Sequence, residues 1–220
     1  PYAINRALAV WRRVHNLCRK RWRQRTHEID WSEFLRKEHK RVRALTIAEA
    51  HALLDGLHPD LAWPIRWSLL TGTRRSATYG LKWDDIDFVQ RKAVVREKGG
   101  KEHIVWLSDA AIALLQEIPR RGRYVFRHGN RRKEFRRALE RAGIKDFRWH
   151  DLRHTFATWL RQGGVPLEVV QRALGHVALA TTERYAHVMD SEVLEAMQRL
   201  PSLSPSPPKI LSLRRARSKG

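Results

Sequence analysis

Five residues, read in order along the chain, have the chemistry to grip and break a phosphodiester. Arg74 closes Thr71-Gly72-Thr73-Arg74. His150 and Arg153 stand in His150-Asp151-Leu152-Arg153-His154, His176 in Leu174-Gly175-His176, and Tyr185 ends Thr181-Thr182-Glu183-Arg184-Tyr185. Breaking such a bond without a metal adds negative charge to the non-bridging oxygens. Forked guanidiniums match that geometry in pairs and stay charged at any working pH. A nucleophile must attack in line, and a proton must reach the departing oxygen. Arg74 and Arg153 are therefore expected as the clamp. His150 and His176 are the hydrogen-bonding or proton-transfer groups, and Tyr185 is the phenol nucleophile. Lys98 lies in Arg96-Glu97-Lys98-Gly99-Gly100-Lys101, where a lysine at a hairpin tip can lean over the phosphate and supply the proton; Lys101 is its nearby competitor.

Composition points to the same substrate. The 220 residues hold 44 Lys and Arg against 23 Asp and Glu, a formal net charge of +21. Internal pairing cannot neutralise that excess, so a positive field remains and predicts a polyanionic partner whose binding falls with salt. An apolar fraction of 42%, with nine tryptophans, supports a core for one domain and part of another. Trp63, Trp67, Trp83, Trp106 and Trp159 read as core residues. The single Cys18 excludes an intrachain disulfide and fits a reducing, cytoplasmic compartment. There is no apolar run of about 18 residues. The start, Pro1-Tyr2-Ala3-Ile4-Asn5-Arg6, is neither a signal peptide nor an initiator Met, and is expected to lie mid-protein.

These side chains need elements to hold them. Residues 1–43 carry 13 Lys or Arg and four acids. Within them, 3–23 reads as an amphipathic helix with a basic face suited to phosphates, and 24–43 reads as a polar linker. Thr46-Ile47-Ala48-Glu49 is a capping box. Helices are expected over 63–70, stopped by Gly72, then over 110–118 after Ser108-Asp109, over 133–142 and over 150–161. Pro166 opens another at its first position, Thr181 or Thr182 caps a short one carrying Tyr185, and Asp190 caps the last. Ile86-Asp87-Phe88, Ala93 to Arg96 and His103 to Leu107 read as strands, with Gly99-Gly100 turning the second into the third. The fold class is thus α+β, mainly α, with a small three-stranded antiparallel sheet. Ser202 to Gly220 is Ser/Pro-rich, then basic, and is expected to be disordered.

The motifs together resemble the tyrosine recombinases of the phage integrase family. Thr71 to Arg74 with Gly80-Leu81-Lys82-Trp83-Asp84-Asp85-Ile86-Asp87 resembles the first arginine box and the strand after it. Lys98 matches the hairpin lysine, His150 to Ala157 the His-x-x-Arg box, and Leu174-Gly175-His176 with Tyr185 the third box. The likeness covers about 43–189. It implies a site-specific recombinase or integrase in which Tyr185 forms a 3′-phosphotyrosyl bond. Arg74, Arg153 and His176 would stabilise the phosphorus centre, His150 would take the phenol proton, and Lys98 would be the general acid. The ester stores the bond energy, so neither ATP nor another cofactor is implied. The implied partner is double-stranded DNA with a specific target site, acted on by a homotetramer on paired sites. A C-terminal segment from Val193 onward would dock in cis or in trans. Residues 1–43 would be the end of a helical core-binding domain, 44–200 the catalytic domain and 201–220 a basic tail.

One position departs from the family pattern. An acid usually stands three residues after the first-box arginine, and here that residue is Ala77. Another acid must substitute, or activity is reduced. A DNA-relaxing topoisomerase with the same ester chemistry, and a prophage remnant that binds DNA without cutting, are the competing functions. His150 and His154 stand at i and i+4, a metal-ligand spacing, but no third ligand is evident and no metal is expected. Basic residues from Arg120 to Arg137 either follow a DNA backbone or are solvated.

Overall fold

The chain divides into two compact units, Pro1–Val42 and Arg43–Gly220. The computed structural model describes residues 2–36, 43–97, 100–127, 129, 131–175, 186–201 and 203. In the first unit, α1 (Tyr2–Lys20) has the expected apolar stripe, yet Ile4, Trp11, Val14 and Leu17 remain exposed. Residues 24–36 are not a free linker, because they lie back along α1. The Asn5 amide donates to the Arg36 carbonyl at 2.7 Å and accepts from its N–H at 2.8 Å. Trp31 meets His15 edge-on at 5.7 Å, and Arg19 pairs with Glu28 at 3.1 Å. Polar contacts hold this return, which is why an apolar pattern did not announce it.

The second unit is built around one helix. α2 (Ile47–Leu54) starts at the expected box: Thr46 Oγ1 accepts from the Glu49 N–H at 3.1 Å, and Glu49 accepts from the Thr46 N–H at 2.8 Å. α3 (Pro59–Thr71) begins a turn before the apolar run, since Pro59 at its first position already has a helical φ. Its Leu61, Ile65, Trp67, Leu69 and Leu70 are buried. A short helix not expected from the pattern, α4 (Arg75–Gly80), follows directly, and a 3-10 turn spans Trp83–Asp85. Six residues are too few to show a helical period.

β1 (Ile86–Asp87), β2 (Lys92–Arg96) and β3 (Glu102–Trp106) form an antiparallel sheet in that order, with Val94 opposite Ile104. α5 (Asp109–Glu117) starts at Ser108, whose hydroxyl accepts from Ala111 N–H at 3.2 Å. Then come α6 (Arg132–Arg141), α7 (Trp149–Gln162), α8 (Leu167–Ala173) and α9 (Ala186–Met197). This is the mainly helical α+β fold with a three-stranded sheet that the pattern predicts. Two details are corrected. Pro166 is the N-cap of α8 and not its first residue. Asp190 does not start a new helix but lies inside α9, because a helix already under way tolerates an interior Asp at a cost of roughly half a kcal/mol. The expected cap at Thr181 or Thr182 lies outside the described residues.

α3 packs on α7 and α5, and α9 packs on α8 and β3. Val193, Ala196 and Met197 of α9 are buried, so this C-terminal helix docks within its own chain. Leu203 is buried too, inside the stretch expected to be disordered; 202 and 204–220 lie outside the described residues. Trp67 and Trp159 are core residues, whereas Trp63, Trp83 and Trp106 are half-buried. Trp159 Nε1 donates to the Leu45 carbonyl at 2.9 Å, and the Leu45 N–H donates to Thr155 Oγ1 at 3.0 Å, pinning the start of the unit to α7. No described helix is long and apolar enough to cross a membrane.

Gly72 ends α3 with φ of 66°, and a Cβ there would lie 2.5 Å from Phe156 and 2.8 Å from Leu174. Both the left-handed backbone and the close contact exclude a side chain. Gly72→Ala should therefore lose about 2–4 kcal/mol of stability, read as a lower denaturant midpoint at unchanged slope.

Candidate active site

The turn that presents Arg74 is held by buried hydroxyls. Ser68 Oγ donates to the Pro64 carbonyl at 2.8 Å and Thr71 Oγ1 to the Trp67 carbonyl at 2.7 Å. Thr73 Oγ1 lies 3.1 Å from Thr71 Oγ1 and 2.8 Å from Thr78 Oγ1, which is 3.1 Å from Ser68 Oγ. These bonds tie the end of α3 to α4, with Arg74 between them as the N-cap of α4. Ala77, the position where an acid was expected, is fully buried and α4 has no side-chain cap. Arg74 instead forms a close ion pair with Glu97 at the end of β2.

Arg153 projects from α7 into the interior. Its Nη1 donates to the Gly72 carbonyl at 2.8 Å and its Nη2 to the Leu174 carbonyl at 2.7 Å. One guanidinium thus joins the exit of α3 to the exit of α8. Burial, and then the like charge of Arg74, push its pKa down to about 10, which leaves it charged at neutral pH. His150 lies one turn back on α7, with its ring 4.9 Å from that of His154 and perpendicular to it. Burial first, then the positive charges of His154, Arg153 and Arg74, hold its imidazole below the ordinary value, against an opposing pull from Asp151. Asp151 itself is committed to the helix start, accepting from the Arg148 N–H at 2.8 Å. Arg74, His150 and Arg153, predicted from three separate stretches of sequence, therefore share one electrostatic site.

Lys98, His176 and Tyr185 lie outside the described residues. Glu97, next to Lys98, and Gly175, next to His176, are described. Glu97 touches Arg74. Gly175, with φ of 71°, is so close to His103 of β3 that a Cβ would meet its ring at 2.7 Å. Arg75, the next residue, lies over the rings of Trp149 at 5.5 Å and Tyr79 at 5.8 Å. Beside His150, a cavity of about 500 Å³ is lined by Arg75, Arg132, Lys133, Arg136, Tyr79 and Trp149 among others. Not every base between Arg120 and Arg137 is available to a partner. Arg120 covers Trp83 at 4.8 Å, and Arg131 pairs with Asp60 at 2.7 Å and Glu134 at 2.8 Å. Among the described residues no group of three or more His, Cys, Asp or Glu side chains could hold a metal ion.

Glu97 is the residue that motif reading missed. It is 23 positions from Arg74, and its only signal was an acid beside the hairpin lysine in a chain lacking the acid at 77.

A model of the phage integrase family matches residues 43–192, the span that contains every element of this site. The chain belongs to that family. The integrase of Salmonella phage P22 is 32% identical over 189 residues, covering 76% of this chain and 49% of that protein, so the chain spans about half the length of that curated relative. Among solved structures, the integrase from mycobacterium phage Brujita aligns with a TM-score of 0.63 at 25% identity, over 92% of this chain and 72% of the other. The XerH site-specific recombinase, in a pre-cleavage complex with its difH substrate, aligns with a TM-score of 0.51 at 26% identity, over 67% and 51%.

Replacing the buried fork of this integrase-family chain should uncouple the two helix exits. Arg153→Lys keeps the charge but replaces two donor nitrogens in a planar fork with one, which weakens the bond to at least one buried carbonyl. A loss of about 2 kcal/mol is expected in chemical denaturation.

Proposed function

We propose that this chain is a tyrosine-type site-specific DNA recombinase, or integrase, that cleaves and rejoins strands through a 3′-phosphotyrosyl intermediate. The observation that carries the reading is the convergence of Arg74, Arg153 and a neutral-leaning His150 in one site of an integrase-family fold. Such a site stabilises the extra charge on a phosphorus centre, where losing one donor typically costs roughly a hundredfold or more in rate.

The Tyr185 oxygen attacks phosphorus in line and its proton passes to His150. The bond from phosphorus to the 5′ oxygen breaks, and Lys98 protonates that oxygen. Arg74, Arg153 and His176 hold the non-bridging oxygens. A 5′ hydroxyl of a partner strand reverses the sequence, and the ester conserves the bond energy without a cofactor. The substrate is double-stranded DNA carrying a specific site. Exchange between two duplexes requires more than one active site, and a homotetramer on paired sites supplies them. The net charge of +21 supports such a partner, and the basic cavity beside His150 supports backbone contact there. Residues 1–43 fit the end of a core-binding domain.

Covalent trapping on a library of nicked duplexes tests the chemistry and reports the site together. The wild-type chain should form an adduct, and Tyr185→Phe should bind DNA equally and form none; an adduct with the Phe variant would remove Tyr185 from its role. The acid limb of the trapping rate should lie below the usual histidine value of about 6.5, because partial burial and the neighbouring His154, Arg153 and Arg74 favour neutral His150. The rate rises with pH through that limb, and His150→Gln should abolish the limb along with most of the rate.

A further inference from the structure

We propose that Glu97 is the positioning carboxylate of Arg74, taking the place of the acid that Ala77 cannot supply. The inference rests on the strand-cleavage reading above, and deepens it by one residue.

Arg74 is a long side chain at 39% exposure, on a helix start with no side-chain cap. Left alone it would sample many rotamers, and a clamp that must meet two phosphate oxygens gains from being fixed beforehand. Ala77 offers a methyl group and no acceptor. Glu97 offers a carboxylate at 17% exposure that is itself held. Its N–H donates to the Lys101 carbonyl at 2.7 Å, and its carbonyl accepts from Gly100 N–H at 3.2 Å, so the backbone under it is the closing pair of the β2–β3 hairpin. Oε2 takes Arg74. Oε1 is buried, has no hydrogen-bond partner among the described residues, and lies 3.9 Å from Nδ1 of His103. His103 sits opposite Val95 in the ladder and covers Gly175. The carboxylate therefore stands where the exit of α3, the hairpin and the exit of α8 meet. Fixing Arg74 from the hairpin also fixes the hairpin relative to the clamp.

The full chain and the nicked duplex selected in the trapping assay test this. Glu97→Gln should slow adduct formation roughly tenfold to a hundredfold, the range typical of groups that orient a charged ligand, while DNA affinity stays within about threefold. Glu97→Asp, which keeps the charge, should recover part of the rate. In an Arg74→Ala background, Glu97→Gln should add no further loss, whereas a role in hairpin folding alone would cost the same in both backgrounds. A substrate with sulfur at the bridging 5′ position needs no protonated leaving group, so it should not rescue Glu97→Gln if Glu97 acts through Arg74. Independently of cleavage, the Arg74 Nη hydrogens, which face Glu97 Oε2, should be protected from exchange in the wild type and lose protection in Glu97→Gln. A faster rate and tighter binding in Glu97→Gln would mean that the carboxylate competes with phosphate, and would overturn the proposal. So would an unchanged rate, an equal loss without Arg74, or unaltered exchange protection. Absence of any wild-type adduct would count against the nucleophile assignment, and the exchange protection would still decide the role of Glu97.

Discussion

A guanidinium buried between two helix exits organises the second unit. Arg153 gives one N–H to the last turn of α3 and another to the last turn of α8, at 2.8 and 2.7 Å. Both acceptors are carbonyls that a helix end leaves without an internal partner. A neutral donor could satisfy them, but a cation does so more strongly and brings its charge into the interior. The penalty of that burial appears as a pKa lowered to about 10, far enough above neutrality to keep the charge. Gly72 must lack a side chain for the bond to form at that distance from Phe156, and the hydroxyls on either side of Gly72 keep the turn in register.

Around this cation the other groups are arranged by mutual repulsion as much as by contact. Arg74 lowers the preference of Arg153 for charge, and both lower that of His150. Like charges gathered in one place raise the electrostatic energy, and a neighbouring anion lowers it. Glu97 relieves part of that repulsion from the hairpin side. The cavity next to His150 extends the positive surface outward through Arg132, Lys133 and Arg136, whereas Arg120 and Arg131 have been spent on aromatic faces and carboxylates.

Much of this was legible in the order of residues because it is local. Thr46 and Glu49 cap α2 as a four-residue motif requires, Ser108 caps α5, and alternating residues around Gly99-Gly100 mark the hairpin strands. Arg74, His150 and Arg153 stand out in the sequence because their boxes are short and chemically dense. What stayed hidden is non-local. The pairing of Arg74 with Glu97 spans a helix, a turn and two strands, and no periodicity reports it. The return of residues 24–36 along α1 rests on Asn5, Trp31 and Glu28, which a composition argument reads as solvated. Asp190 misled in the other direction, since a good capping residue caps nothing where the helix has already begun.

The hydroxyl cluster beneath Arg74 has a counting property. Ser68, Thr71, Thr73 and Thr78 own one hydrogen each, while the cluster contains three oxygen-to-oxygen contacts and two bonds to carbonyls. Four protons cannot fill five such places. At any instant one link is unfilled, and rotation of a hydroxyl moves the gap to another without shifting a heavy atom. The seat of the arginine is thus rigid in position yet adjustable in polarity, able to re-sort its dipoles when the charge above it changes.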